Sequence, residues 1–150
     1  MSDKIYVIDA CSLIEAAHRY NMSKKTFAYI WETLENEIKK GYLISSTEIF
    51  DELKDKDLVA WAKKNKQAFM PLCRETQQKT KEILEKYPLM IKMRSSKNSN
   101  GDPFLIATAM VFNAIVITNE GPKANGIPAV CHGLGIEYMN LDQYLDLILE

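Results

Sequence analysis

Short, continuous apolar runs alternate with helical patterns along this chain, and few architectures accept that alternation. Lys4-Ile5-Tyr6-Val7-Ile8, Tyr42-Leu43-Ile44, Ile115-Val116-Ile117-Thr118 and Ile136-Glu137-Tyr138-Met139 read as strands. Between them lie stripes at helical spacing. Leu13, Ile14 and Ala17 share a face of a short helix that fades by Tyr20-Asn21, and Phe27, Ile30, Trp31, Leu34 and Ile38 line a longer one ended by Gly41. Apolar strands separated by helices imply a parallel sheet covered on both faces. The expectation is a single domain over residues 1–150, a three-layer α/β/α fold with a mostly parallel central sheet of four to five strands.

Ser45-Ser46-Thr47-Glu48 reads as a capping box opening a third helix, with Ile49 and Leu53 inward and Glu48 and Glu52 one turn apart. Further helices are expected from Leu58 to about Lys66 and from Gln77 to Tyr87, the latter stopped by Pro88. Leu89 to Arg94 reads as a strand, followed by a polar loop, Ser95 to Gly101. Asp102-Pro103 is the strongest helix start, an N-cap followed by proline, and Phe104 to Phe112 is apolar nearly all round, which predicts a central, buried helix. A short helix from Pro128 to Leu134 precedes Gly135, and Leu141, Tyr144, Leu145 and Ile148 form the inward stripe of a terminal helix.

The 150 residues are 47% hydrophobic, enough for a sizeable core, yet every apolar stretch stops short of the roughly 18 residues of a membrane span. No basic region followed by an apolar segment opens the chain, so no secretory signal is expected. Cys11, Cys73 and Cys131 are odd in number and lack CxxC spacing, which predicts reduced, buried thiols in a cytoplasm. A net charge of −1 means that nucleic-acid binding would need a local basic strip. His18 and His132 read as surface residues, and Trp31 and Trp61 as core.

In open α/β sheets ligands collect outside the carboxyl ends of the strands. Asp9 follows the first strand, Glu120 follows the Ile115–Thr118 strand, and Asp102 caps the helix leading into it. Glu52, early in the helix after the second strand, can lean over the same edge. Carboxylates gathered there would repel one another unless a divalent cation neutralised them, and hard oxygen ligands suit Mg²⁺ or Mn²⁺. Such a site is equipped for phosphodiester hydrolysis. Ser12 and Thr118 are placed to orient the carboxylates by hydrogen bonds.

These residues also carry a family likeness. Tyr6-Val7-Ile8-Asp9-Ala10-Cys11-Ser12-Leu13-Ile14 resembles the opening of PIN-domain ribonucleases, and Glu52-Leu53 resembles their second acidic position. Gly101-Asp102-Pro103-Phe104-Leu105-Ile106-Ala107-Thr108-Ala109 is similar to the third position, and Ile115-Val116-Ile117-Thr118-Asn119-Glu120 to the fourth. Glu120 stands where the family usually has Asp, and Glu48 competes with Glu52, which is preferred because Glu48 already has a capping task. Asp57-Leu58-Val59-Ala60-Trp61 and Ile127-Pro128-Ala129-Val130-Cys131 match a PIN-like subgroup. The resemblance spans residue 4 to about 148. It implies a metal-dependent endoribonuclease acting on single-stranded RNA, with Asp9, Glu52, Asp102 and Glu120 as metal ligands and catalytic residues. It further implies the toxin of a toxin–antitoxin pair, a homodimer, and inhibition by an antitoxin protein. Lys92, Arg94 and Lys97 form the basic strip closest in sequence to the acids. The rival reading is a catalytically decayed PIN-like interaction module. A phosphatase using Asp9 as nucleophile is disfavoured, because Cys11 stands where a second Asp would be needed.

Overall fold

The computed structural model describes residues 4–92 and 102–149, with the side chains of Ile91 and Lys92 excepted. Five strands are seen among these residues: β1 (Tyr6–Ile8), β2 (Leu43–Ser46), β3 (Phe69–Met70), β4 (Ile115–Ile117) and β5 (Tyr138–Met139). All pair in parallel, in the order β3-β2-β1-β4-β5. The helices are α1 (Ala10–Arg19), α2 (Ala28–Lys40), α3 (Thr47–Glu52), α4 (Lys56–Lys64), α5 (Arg74–Lys86), α6 (Leu89–Lys92), α7 (Asp102–Phe112), α8 (Ile127–Leu134) and α9 (Leu141–Ile148). They flank the sheet in a three-layer, PIN-like α/β/α arrangement.

Val7 is paired with Ile44 on one side and Val116 on the other, so β1 is the centre of the sheet. The chain first moves outward through β2 and β3, then recrosses to β4 and β5. That reversal places β1 and β4 side by side. Helix α7 makes the return crossing. It is buried at Pro103, Leu105, Ile106, Ala107, Thr108 and Ala109, and packs on β1, β2 and β4 beneath α5, α6 and α8. Its all-round apolar sequence therefore has contacts on most sides, with Phe112 at its end left exposed. On the other face α2 covers β2, and Trp31 and Trp61 meet edge to face at 5.2 Å, both buried as expected.

Local chemistry explains where elements start and stop. Gly41 at φ 84 and Gly135 at φ 72 adopt the left-handed conformation that closes α2 and α8. Asp55 accepts the Leu58 N–H at 2.9 Å, so α4 begins two residues before Leu58 and ends at Lys64. Helix α5 likewise starts earlier than expected, at Arg74. Asn140 and Gln143 form a reciprocal capping box at α9.

Several expectations are corrected. Leu89 to Lys92 form a single helical turn, because the Met90 N–H turns back to Tyr87 O at 3.1 Å and Met90 is buried there. A four-residue apolar run does not distinguish strand from helix. Met93 and Arg94, the remainder of that expected strand, and the expected loop from Ser95 to Gly101 lie outside the described residues. Strand β3 is only two residues long and has no periodicity to betray it. Strand β2 runs on to Ser46, so Ser46 is the cap of α3, accepting the Ile49 N–H at 3.3 Å. Ser45 instead donates to Ile8 O at 2.7 Å, a brace between β2 and β1. The expected Ser45–Glu48 box is therefore not formed. Ile14 is exposed, and the inward face of α1 is Ala10, Ser12, Leu13 and Ala16. Cys131 is buried, but Cys11 and Cys73 are exposed, since both stand at helix starts rather than inside a stripe. Among the described residues no helix is long and apolar enough to cross a membrane.

Candidate functional site

The β1–β4 boundary is the topological switch point of the sheet, the place where strand ends open a crevice. Asp9 sits directly on it. Its N–H bonds Ile117 O at 3.0 Å, which extends the β1–β4 ladder by one step and leaves the side chain at the end of the strand. Asp9 is only 1% exposed. Its Oδ1 accepts the Ser12 N–H at 2.7 Å, making Asp9 the N-cap of α1, and its Oδ2 accepts the Thr118 hydroxyl at 2.5 Å. The sequence signal for this capping role is an Asp immediately before a helical pattern. The Ser12 hydroxyl is fully buried and meets no partner in good geometry among the described residues, yet it lies near enough to help hold the Asp9 carboxyl down.

Thr118 works in two directions. While its hydroxyl donates to Asp9, it accepts the Glu120 N–H at 3.1 Å. Glu120 then reaches forward, and its Oε1 accepts the Ile127 N–H at 3.0 Å. Its carboxyl is also hydrogen-bonded to Asp102. Asp102 is the first residue of α7, inside the helix rather than a cap ahead of it, and is buried at 9% exposure. Glu52 is half-buried at the last turn of α3, and its charge acts on Asp102. Glu48, freed of the expected capping box, is not among the charges that act on Asp102 most.

The electrostatics follow from this crowding. Burial pushes the Asp9 carboxyl up to about 6, against the pull of the Thr118 and Ser12 hydrogen bonds, and Glu120 adds to the rise. Asp102 is pushed up to about 8, first by burial, then by the charge and hydrogen bond of Glu120, then by Glu52 and Asp9. Two thiols flank the cluster. Cys11 is pushed up to about 11 and Cys131 to about 12, in both cases first by burial and then by Asp9 and Glu120, with Glu15 and Asp102 adding to the rise at Cys11.

Thus Asp9, Asp102 and Glu120 are brought together, with Glu52 within electrostatic reach. Among the described residues, however, no three acidic, thiol or imidazole groups converge as a ready-made cation cage. Their oxygens are turned to Ser12, Thr118, Ile127 and each other. The donor set still fits a hard divalent ion, because it consists of carboxylate and hydroxyl oxygens while the neighbouring thiols are held protonated. His18 and His132 are exposed on α1 and α8. Of the basic strip, Lys92 ends α6, which packs on α7, whereas Arg94 and Lys97 lie outside the described residues.

Residues 6–147 match a family described as a domain of unknown function (DUF4411). No curated protein matches the chain. Among solved structures, one similar chain belongs to VapBC2 from Rickettsia felis bound to a DNA fragment from their promoter. It has a TM-score of 0.53 and 14% identity, covering 92% of this chain and 99% of that one. At that identity the likeness establishes the fold alone.

Proposed function

The chain belongs to the DUF4411 family, and from the site this fold assembles we propose that it is a metal-dependent endoribonuclease acting on single-stranded RNA. The observation that carries the reading is the continuous link Asp9–Thr118–Glu120–Asp102 at the β1–β4 switch point. Asp9, Asp102 and Glu120, with Glu52 beside them, are the residues to hold Mg²⁺ or Mn²⁺. When bound, such an ion supplies Lewis acidity toward a phosphodiester and a more acidic water. Thr118 and the Ser12 backbone fix the orientation of Asp9. Burial makes the charged forms of Asp9 and Asp102 costly while they lack a counter-ion, and a bound cation would offset that cost.

The toxin role, a homodimer and an antitoxin partner are proposals resting on the PIN-domain resemblance. The similarity to a chain of VapBC2, crystallised on promoter DNA, supports looking for a protein partner. Lys92, Arg94 and Lys97 are the proposed contacts to RNA phosphates.

Purified protein with single-stranded RNA and Mn²⁺ provides the test. Cleavage is expected, is lost with EDTA, and is abolished by Asp9→Asn without loss of fold, because Asn caps helices as well as Asp does. Full activity of Asp9→Asn overturns the assignment. The second reading, a decayed interaction module, is favoured by the absence of a converged cage among the described residues and by the commitment of Glu120 Oε1 to Ile127. Saturable Mn²⁺ binding decides between them: at 100-fold excess over Kd a surviving site stabilises the fold by about 2.7 kcal/mol, and a decayed one does not.

A further inference from the structure

Glu120 caps a helix that begins seven residues downstream. Its Oε1 accepts the N–H of Ile127, the first residue of α8, at 3.0 Å. Gly126, the N-cap position of that helix, contributes no side-chain bond of its own. Its φ of −91 is open to any residue, so backbone freedom is not the reason for glycine here. Space is: an added Cβ would stand 3.0 Å from Lys123 Cγ, 3.1 Å from Glu120 Oε1 and 3.2 Å from the Lys123 backbone oxygen. At its other end Glu120 is pinned by its own N–H to Thr118 Oγ1 at 3.1 Å, and Thr118 in turn holds Asp9. From a backbone fixed in that way, the extra methylene of glutamate is what spans the distance to α8. An aspartate would be one carbon short.

We infer that the first turn of α8 is the positioning device of the carboxylate cluster: Gly126 makes room for Glu120, Ile127 N–H takes Oε1, and one oxygen is left to serve beside Asp102. Glu120 is then a ligand of restricted denticity whose length is matched to its anchor. The inference rests on the metal reading above, so the test separates anchor from metal.

In the metal-free protein, the Ile127 amide is followed by NMR. Glu120→Ala is expected to shift it upfield and to accelerate its hydrogen exchange, with Glu120→Asp producing the same change in part. An Ile127 amide indifferent to both variants overturns the anchor. Mn²⁺ affinity is then measured by titration for the wild type, Gly126→Ala, Glu120→Ala and the double variant. Gly126→Ala should weaken Mn²⁺ binding about tenfold in the wild type, the usual scale for partners that orient a ligand. It should change nothing in the Glu120→Ala background. Equal weakening in both backgrounds, or none in the wild type, overturns the positioning role. Glu120→Asp, which leaves Gly126 in place, offers a second route. It should weaken Mn²⁺ binding, and unchanged or tighter binding overturns the match of length to anchor. If the wild type binds no Mn²⁺ while the Ile127 amide responds to Glu120→Ala, the metal reading falls and the anchor stands.

Discussion

Asp9 combines three tasks in one side chain: it terminates β1, caps α1 and receives the Thr118 hydroxyl. Those bonds favour its charged form, yet burial outweighs them and leaves its pKa at about 6, with Asp102 at about 8. Both values lie above those of an unfolded chain, so the folded state binds these protons more tightly. The stabilisation is complete below about pH 4 and is lost as pH rises through about 6 and then about 8. In EDTA, melting temperature is therefore expected to fall between pH 5 and 8.5. Asp9 alone accounts for on the order of 3 kcal/mol over the span from about pH 4 to 6, roughly half of it above pH 5, from roughly two units at 1.36 kcal/mol each. Asp102→Asn should flatten the upper part of that profile and raise the melting temperature at pH 8. A profile that is flat or rises across this range contradicts the burial of these two carboxyls.

At the scale of elements, α7 and α8 decide how closely the site is held. The α8 helix approaches the end of α5 so tightly that a Cβ on Gly133 would overlap the Tyr87 hydroxyl, at 2.2 Å, and press on its ring carbon at 3.3 Å. Two effects then oppose each other. Alanine is favoured over glycine inside a helix by about 1 kcal/mol, whereas the overlap forces Tyr87 to move. Gly133→Ala is expected to destabilise the wild type. In a Tyr87→Phe background, which removes the overlapping oxygen, the same substitution should stabilise or be neutral. Denaturant midpoints of the four proteins measure the difference, and additive effects would show that α8 and α5 are not in contact there. The same element also shows a limit of periodicity. The helical pattern of α8 is plain in Ile127 to Leu134, but nothing in that pattern says that its first N–H meets Glu120.

For the whole molecule, the net charge of −1 and the acidic crevice give no general attraction to a polyanion. The proposed RNA binding would rest on local cations, and Lys92, Arg94 and Lys97 are the strip nearest in sequence to Asp102. Each phosphate contact on a single strand contributes about −0.7 to the slope of log affinity against log salt. Replacing all three by alanine should therefore make that slope shallower by about 2, measured in EDTA in the Asp9→Asn background so that the proposed cleavage does not interfere. An unchanged slope moves the RNA path elsewhere on the surface. The five-strand parallel sheet brings the ends of β1 and β4 together, with α7 packed against both.

Much of this architecture follows from local rules that a linear reading can apply. Continuous apolar runs marked β1, β2, β4 and β5, glycines marked the ends of α2 and α8, and Asp102-Pro103 marked the start of α7. The positions of Asp9, Asp102 and Glu120 were legible because strand ends and helix starts are themselves local features. Tertiary structure alone decided which groups meet. Thr118 lies 109 residues from Asp9 and Ser45 lies 37 from Ile8, and neither pairing leaves a mark on periodicity. The same holds for the Glu120–Ile127 anchor, the turn at Met90 and the two-residue β3. Propensity and spacing govern which element a residue joins. Only the packing of β1, β4, α7 and α8 against one another sets the distances between their side chains, and with them which carboxylates act on one another's protons.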